Sequence, residues 1–340
     1  MKASFRRFTP LVLAAALSAG AAWAQKTELL VYTALETDQL KAYTESFAKH
    51  NPNIELKFVR DSTGVITAKL LAEKANPQAD AILGVAASSM EIFKAEGMLA
   101  PYAPAGFGAL NRKFSDAGSP PAWVGQDVFA AVVCYNTVEG QKKGIPKPET
   151  WADLAKPVYK GQITMPNPAS SGTGFFDVSA WLQTMGEAGG WRYMDALHDN
   201  IAQYTHSGSK PCRQAGAGEF VVGISFDFRG NDVKTKGAPV ELVFPKEGLG
   251  WEIEASGIVK TTKKMDAAKK LIDWTATKEA NQAFAKNFAI VAHPEVKPVL
   301  AYIPADLESR LIKNDFGYAA KNRDKILAEW NKRYAAKSEK

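Results

Sequence analysis

Over the first ninety residues beyond Gln25, apolar positions switch repeatedly between a two-residue and a three-to-four-residue period. Glu28–Thr33 reads as a strand, and Thr37–His50 places Leu40, Tyr43 and Phe47 on one helical face before Asn51-Pro52-Asn53 ends it. Ile54–Val59 alternates as a second strand, Val65–Ala75 returns to helical spacing, and Ala81–Leu83 forms a third short strand. Such alternation predicts a parallel sheet with helices on its faces. In that architecture ligands sit beyond the carboxyl ends of the strands. Attention therefore falls on Thr33–Glu36, Asp61–Gly64 and Val85–Ser89.

A second set of the same kind follows the apolar run Val128–Asn136. Gln162–Met165 reads as a strand, Gly172–Met185 and Trp191–His198 as helices, and Val221–Phe226 as a strand. Ile253–Lys260 is again strand-like and leads into helical stretches at Met265–Thr275, Lys278–Lys286 and Asn322–Tyr334. The prediction is an α/β chain of two lobes, each a mostly parallel sheet flanked by helices. Residues 25–127 and 251–340 form a discontinuous first lobe and 128–250 the second. Two crossing strands make the hinge, with a cleft between the lobes. No internal repeat or low-complexity segment interrupts this scheme.

The start of the chain has a different pattern. Lys2, Arg6 and Arg7 precede an apolar run, Leu11–Ala22, and Ala22-Trp23-Ala24 is a small-x-small cleavage signal. This is the pattern of a secretory signal peptide over residues 1–24, cut after Ala24, so the mature protein is expected in the periplasm. Beyond it no apolar run approaches the ~20 residues of a spanning helix. Without that leader the balance is 39 basic against 36 acidic side chains, too even to indicate nucleic acid. Export also changes how Cys134 and Cys212 are read. An even count in an oxidising compartment favours one disulfide over two buried thiols.

Enzyme signatures are missing: the chain has no GxSxG, HExxH, GxGxxG or P-loop GK[ST] run. His50, His198, His206 and His293 are dispersed, without a metal-ligand spacing. The informative stretch is Met165–Gly174. Pro166 and Pro168 keep it extended, and Ser170, Ser171 and Thr173 with Gly172 and Gly174 then open a helix. Helix N-termini offer free N–H groups to a tetrahedral anion, and hydroxyls and glycines permit its close approach. The plainer reading is N-capping, for which one hydroxyl suffices. A second polar turn, Tyr204–Pro211, leads into another helix. Acids stand at strand ends as well: Glu36, Asp61, and Asp227 between Phe226 and Phe228. Asp227 either meets a cation or pairs with Arg229, because a buried carboxylate is costly alone. Hydroxyl turns for an oxyanion and acids for a cation together suit a small zwitterion.

On these residues the chain resembles the periplasmic substrate-binding proteins of ABC importers, in their type II two-lobed group. Within it the chain is similar to the 2-aminoethylphosphonate-binding branch, through Asp61–Gly64, Asn167–Gly174, Gln203–Cys212 and Phe244–Trp251. The resemblance implies phosphonate contacts from Ser170, Ser171, Gly172 and Thr173, assisted by Ser207 or Ser209. Thr33, Ser62, Thr63 and Ser88 would close from the first lobe. Asp227, with Glu36 and Tyr204, would hold the ammonium. It implies a monomer without catalytic activity or cofactor, delivering solute to a membrane permease. Related ferric-ion binders supply the alternative, a ferric-ion or phosphorylated-compound binder of the same fold. Those proteins use paired tyrosines where this chain has Phe226-Asp227-Phe228, and phenylalanine offers ferric ion no oxygen.

Overall fold

The computed structural model describes residues 26–339, so the expected signal peptide and its cleavage point lie outside the described residues. Eleven strands are described: β1 (Thr27–Thr33), β2 (Ile54–Arg60), β3 (Ala81–Ala86), β4 (Leu99–Ala100), β5 (Val124–Asn136), β6 (Ile163–Pro166), β7 (Ile201–Thr205), β8 (Val222–Phe226), β9 (Val240–Val243), β10 (Trp251–Val259) and β11 (Ile290–Val291). The main path runs β2-β1-β3-β10-β5-β8-β6-β7. β1 is parallel to both β2 and β3, and β6 is parallel to both β7 and β8, as alternating strand and helix require. β5 and β10 run antiparallel to their neighbours and join the two parallel groups.

β5 is buried along all 13 residues and serves both groups in turn. Its first half pairs with β10, ending at Ala130 opposite Trp251, and its second half pairs with β8, beginning at Ala131 opposite Phe226. The partner changes within one residue, and there Ala131 N donates to Gly250 O at 2.8 Å. A strand buried on both faces is expected to be largely apolar, as Val128–Tyr135 is, with Gln126, Asp127 and Asn136 as its buried polar exceptions.

Cores form on both sides of this changeover. Leu29, Val31, Phe47, Leu271 and Phe284 share one cluster with the β1 and β3 strands, and Ile66, Leu70, Met90 and Phe93 share another on the opposite face. Trp151, Phe175, Trp181, Met194 and Ile224 anchor the core of the other half. The Phe316–Tyr334 helix places Ile326, Trp330 and Tyr334 in that same core, with Trp330 edge-on to Tyr204 at 4.8 Å between centroids. The opening turns of the same helix run against the Ala87–Ala95 helix of the first lobe, so it spans both halves. Two helices expected at 172–185 and 191–198 follow one another as Gly172–Asn200, broken at Gly186, whose φ of 71° a residue with a side chain rarely adopts.

Cys134 on β5 and Cys212 on the Lys210–Ala217 helix form a disulfide, with 5.4 Å between their Cα atoms. It ties β5 to the helix that follows β7, inside a small apolar cluster with Val132 and Val240.

Candidate solute-binding site

The parallel registers bring the carboxyl ends of several strands to one place. Thr33 stands opposite Arg60 at the ends of β1 and β2, and β3 ends alongside at Ala86. Across from them the turns after β6, β7 and β8 begin at Asn167, His206 and Asp227. Between the two groups lies a cavity lined by Glu36, Arg60, Ser62, Thr63, Gly84 and Ala86 from one side. Ser171, Gly172, Thr173, Gly208 and Phe226 line it from the other, with Phe129 and Glu254 at the hinge strands. Its atom-free volume is about 440 Å³, but the centre of a water-sized sphere fits in only about 40 Å³ of it.

Two turns are built for backbone donation. In the first, Asn167 accepts from Ala169 N through its side chain (2.8 Å) and from Ser171 N through its carbonyl (2.8 Å). Ser171 is the N-cap of the Gly172–Asn200 helix, accepting from Gly174 N at 3.4 Å. On the opposite side Ser62 is the N-cap residue of the Thr63–Ala72 helix. First-turn amides of a helix have no partner within it, so these two helix starts present N–H groups and positive dipole ends toward one space. The turn after β7 adds Gly208, where a Cβ would lie 2.3 Å from Thr173 Oγ1, so only glycine fits against the first turn.

The two sides already touch. Gly64 N donates to Ser170 O at 2.8 Å, and His206 Nε2 lies 2.8 Å from Asp61 Oδ1. Burial pushes the Asp61 carboxyl up, but His206 and the Ser62 amide together outweigh it and hold it below the ordinary carboxylate range. Glu36 has three guanidinium neighbours, Arg229 at 3.2 Å and Arg60 and Arg213 at 3.6 Å. Arg229, 1% exposed, also pairs with Asp38 at 3.1 Å and Asp232 at 2.6 Å. Arg229 and Arg213 come from the β6–β8 half, and Glu36 and Asp38 from the β1–β3 half, so this network bridges the cleft.

The hinge floor is acidic and buried. Glu254 on β10 stands next to a break in register with β5 and opposite Asp127. Bulges of this kind re-aim side chains beside sites. Burial pushes both carboxyls well above their ordinary range; Glu254 and Asp227 raise Asp127 further, while Glu36 and Asp227 raise Glu254, whose bond to Asp127 acts the other way. Asp227, fully buried, accepts from Ala130 N (3.1 Å) and Phe228 N (2.9 Å); burial still pushes it up to about 7. One Asp227 oxygen, both of Asp127 and Oε2 of Glu254 have no protein donor.

The residues singled out from sequence fall into three groups. Glu36, Ser62, Thr63, Ser171, Gly172 and Thr173 line the cavity. Ser170, Ser207 and Ser209 belong to the turns around it: Ser170 Oγ donates to His206 O (2.8 Å), and Ser207 and Ser209 hydroxyls lie 3.4 Å apart. The remainder are placed elsewhere. Thr33 is buried and accepts from Leu35 N (3.1 Å), and Ser88 N faces Glu252 (3.3 Å). Tyr204 is corrected from ligand contact to core, because its ring packs on Trp330 and its hydroxyl lies 2.9 Å from His198 Nδ1. Glu36 is taken up by arginines, and Asp227 sits behind Phe226. Arg60, Gly208 and Glu254 are cavity residues that the sequence reading missed. Arg60 had a signal in its place at the end of a strand and Gly208 in the polar turn Tyr204–Pro211, whereas Glu254 had none.

Among the described residues no group of three or more His, Cys, Asp or Glu is arranged to hold a metal ion. Comparison with known proteins agrees with this architecture. A probable ABC transporter periplasmic-binding protein of Sinorhizobium fredii, y4fP, is 26% identical over 265 residues, 75% of this chain and 71% of its own. An uncharacterized protein of Haemophilus influenzae is 30% identical over 274 residues, 80% of this chain and 79% of its own. The periplasmic binding protein AfuA of Actinobacillus pleuropneumoniae, solved with exogenous fructose-6-phosphate bound, superposes with a TM-score of 0.83 at 29% identity, covering 92% of this chain and 99% of AfuA. Iron-bound HitA of Pseudomonas aeruginosa shares the fold, with a TM-score of 0.76 at 17% identity over 89% of this chain and 99% of HitA. The family model for bacterial extracellular solute-binding proteins matches residues 76–316. With a strand path that crosses a hinge and a cavity set between two groups of strand ends, the chain belongs to the bacterial extracellular solute-binding protein family, a periplasmic ABC-transport component that binds a solute rather than converting one.

Proposed function

We propose that the captured solute carries a phosphoryl or phosphonyl group, held between the Ser62-Thr63 and Ser171–Thr173 helix starts. The observation that carries this reading is the convergence of those two helix starts, with Gly208 and the Arg60 guanidinium, on one cavity. A tetrahedral oxyanion needs several donors from different directions. Helix N-termini and an arginine fork supply them without a metal. The likeness to AfuA with its bound fructose-6-phosphate supports a phosphorylated compound as the solute class.

A smaller member of the class, 2-aminoethylphosphonate, is favoured by one specific observation. The closed cleft leaves about 40 Å³ for sphere centres, against roughly 10–15 Å³ for a single water. A phosphonate needs less parting of the lobes there than a sugar phosphate does. Glu254, with a buried oxygen that lacks a donor, then faces the ammonium of the phosphonate or the hydroxyls of a sugar. A ferric ion is disfavoured by Phe226 and Phe228, which offer no oxygen at this strand end.

In this account residues 25–127 and 251–340 move against 128–250. The protein acts as a monomer, takes no cofactor or nucleic acid, and presents both lobes to a membrane permease once closed. Ligand drives closure only through better binding to the closed form.

The test is a thermal-shift comparison of matched pairs on the mature protein: fructose-6-phosphate against fructose, and 2-aminoethylphosphonate against ethanolamine, with phosphate and ferric citrate alongside. Solute at 100 times its Kd stabilises by about 2.7 kcal/mol, a shift of a few degrees. A shift with the phosphorylated or phosphonylated partner alone supports the proposal. A shift with ferric citrate alone, or equal shifts within a pair, overturns it.

A further inference from the structure

The strand path ends at β7, and its outer edge is covered. Ser338 pairs in parallel with Tyr204, and Glu339 N donates to Tyr204 O at 2.9 Å. From this single-bridge edge segment one side-chain tie runs to each of the two turns described above. Asn167, around which the first turn folds, donates from Nδ2 to Ser338 Oγ at 3.1 Å. Lys210, the first residue of the helix that leaves the Ser207–Ser209 turn, reaches Glu339 Oε2 at 2.6 Å. The preceding residue has its own anchor, since Lys337 Nζ donates to the carbonyls of His198 (2.5 Å) and Ile201 (2.7 Å). Ser338 and Glu339 are therefore separable from the packing of the Phe316–Tyr334 helix.

We propose that Ser338 and Glu339 are positioning residues of the solute site, an edge segment that holds the Asn167–Thr173 and His206–Lys210 turns in register with each other. The inference rests on the reading of those turns as the anion-binding wall. Anion recognition by backbone N–H groups depends on their relative placement, and a turn on the last strand of a sheet has neighbours on one side only. The added segment supplies the second side. Neither residue lines the cavity, so both act through Asn167 and Lys210 rather than on the solute.

The division of labour is specific. Ser338→Ala removes the acceptor for Asn167 and should loosen only residues 167–174. Glu339→Gln keeps the main-chain bond to Tyr204, removes the charge that holds Lys210, and should loosen only residues 204–210. A chain stopped after Lys337 should loosen both. Binding and tail order are linked reciprocally, so a bound solute should in turn slow exchange at the Glu339 amide.

Amide hydrogen exchange of the full chain and of the three variants reads this directly. In the shortened chain we expect exchange at 167–174 and 204–210 to rise about fivefold or more, with 27–33 and 54–60 unchanged. Affinity for whichever of fructose-6-phosphate and 2-aminoethylphosphonate binds the full chain should fall by about tenfold, a change of 1.4 kcal/mol. Unchanged exchange in the two turns, or an equal rise everywhere, overturns the proposal. Faster exchange with unaltered affinity overturns it too. If neither probe binds the full chain, the phosphoryl reading fails and exchange alone decides whether the tail holds the turns.

Discussion

The two surfaces that meet at the cleft do opposite things with polar groups. The wall formed by Ser62, Thr63, Ser171, Gly172 and Thr173 presents neutral donors from two helix starts, each a short run of the chain. The hinge floor carries three carboxyls, Asp127, Asp227 and Glu254, fixed inside the protein and kept from charging by burial. A donor wall of main-chain amides keeps its character at any pH. An acidic floor is conditional, and it favours solutes whose far end donates. Between them the Arg229 network adds closure without neutralising either, because its guanidinium is matched by Glu36, Asp38 and Asp232.

The largest effect should come from preventing the surfaces from meeting. A Cβ at Gly64 would lie 2.1 Å from Ala169 O and 2.7 Å from Ser170 O, main-chain atoms of the opposite side. Gly64→Ala should therefore keep the cleft apart and weaken solute binding on the order of a hundredfold or more, about 2.7 kcal/mol. Calorimetric titration reads the loss, and an unchanged melting temperature without solute separates it from misfolding. Next in size is Arg229→Met. It leaves Asp38 without its ion-pair partner, Glu36 with Arg60 and Arg213, and Asp232 with Lys236, and should cost about 2 kcal/mol in urea unfolding, the scale of lost hydrogen bonds to charged groups. A loss below 1 kcal/mol would show that the network is ornamental.

The acidic floor predicts a pH dependence of stability. Asp227 and Glu252 are both pushed up to about 7 by burial, above ordinary values of 3.8 and 4.5. Between those limits the native state keeps protons that the unfolded chain has released, so stability falls as pH rises from about 4 to about 7. The drop should be on the order of a few kcal/mol across that window. Urea midpoints at several pH values check it, and Asp227→Asn should flatten part of the slope. Stability rising through the window would mean that the floor is hydrated. The smallest effect belongs to the donor wall itself. Ser171→Ala with Thr173→Val leaves the main-chain amides in place, so affinity for a phosphorylated solute should fall only about tenfold. Lost capping should cost about 1 kcal/mol of stability. A loss as large as that of Gly64→Ala would shift the grip from amides to hydroxyls.

The contrast between the surfaces also explains what could be read in advance. The Thr37–His50 and Met265–Thr275 helices end where the sequence places them, because a breaker or a change of period marks each boundary. The donor wall was legible for the same reason: its residues fall in two short runs, Ser62-Thr63 and Ser171–Thr173, and Pro166, Pro168, Ser171 and Gly172 state a turn and a helix start locally. The floor was not. Glu254 and Asp127 lie 127 positions apart, appear as stray acids in apolar strands, and come together only through the register of β10 on β5. Tyr204 was misplaced because its direction depends on Trp330 from the distant terminal helix. β7 escaped notice since it follows its helix at Ile201 with no turn residue between. Helix Ala87–Ala95 escaped it because its first turn has no capping side chain.

The most direct test of the account is phosphorus-31 NMR of the mature protein titrated with fructose-6-phosphate, 2-aminoethylphosphonate and inorganic phosphate in turn. The account expects at least one organic compound to give a saturable shift or broadening of its phosphorus line, lost in Gly64→Ala. Sharp, unshifted lines for all three, or a response that Gly64→Ala leaves intact, would contradict the claim that the closed donor wall holds a tetrahedral phosphorus oxyanion.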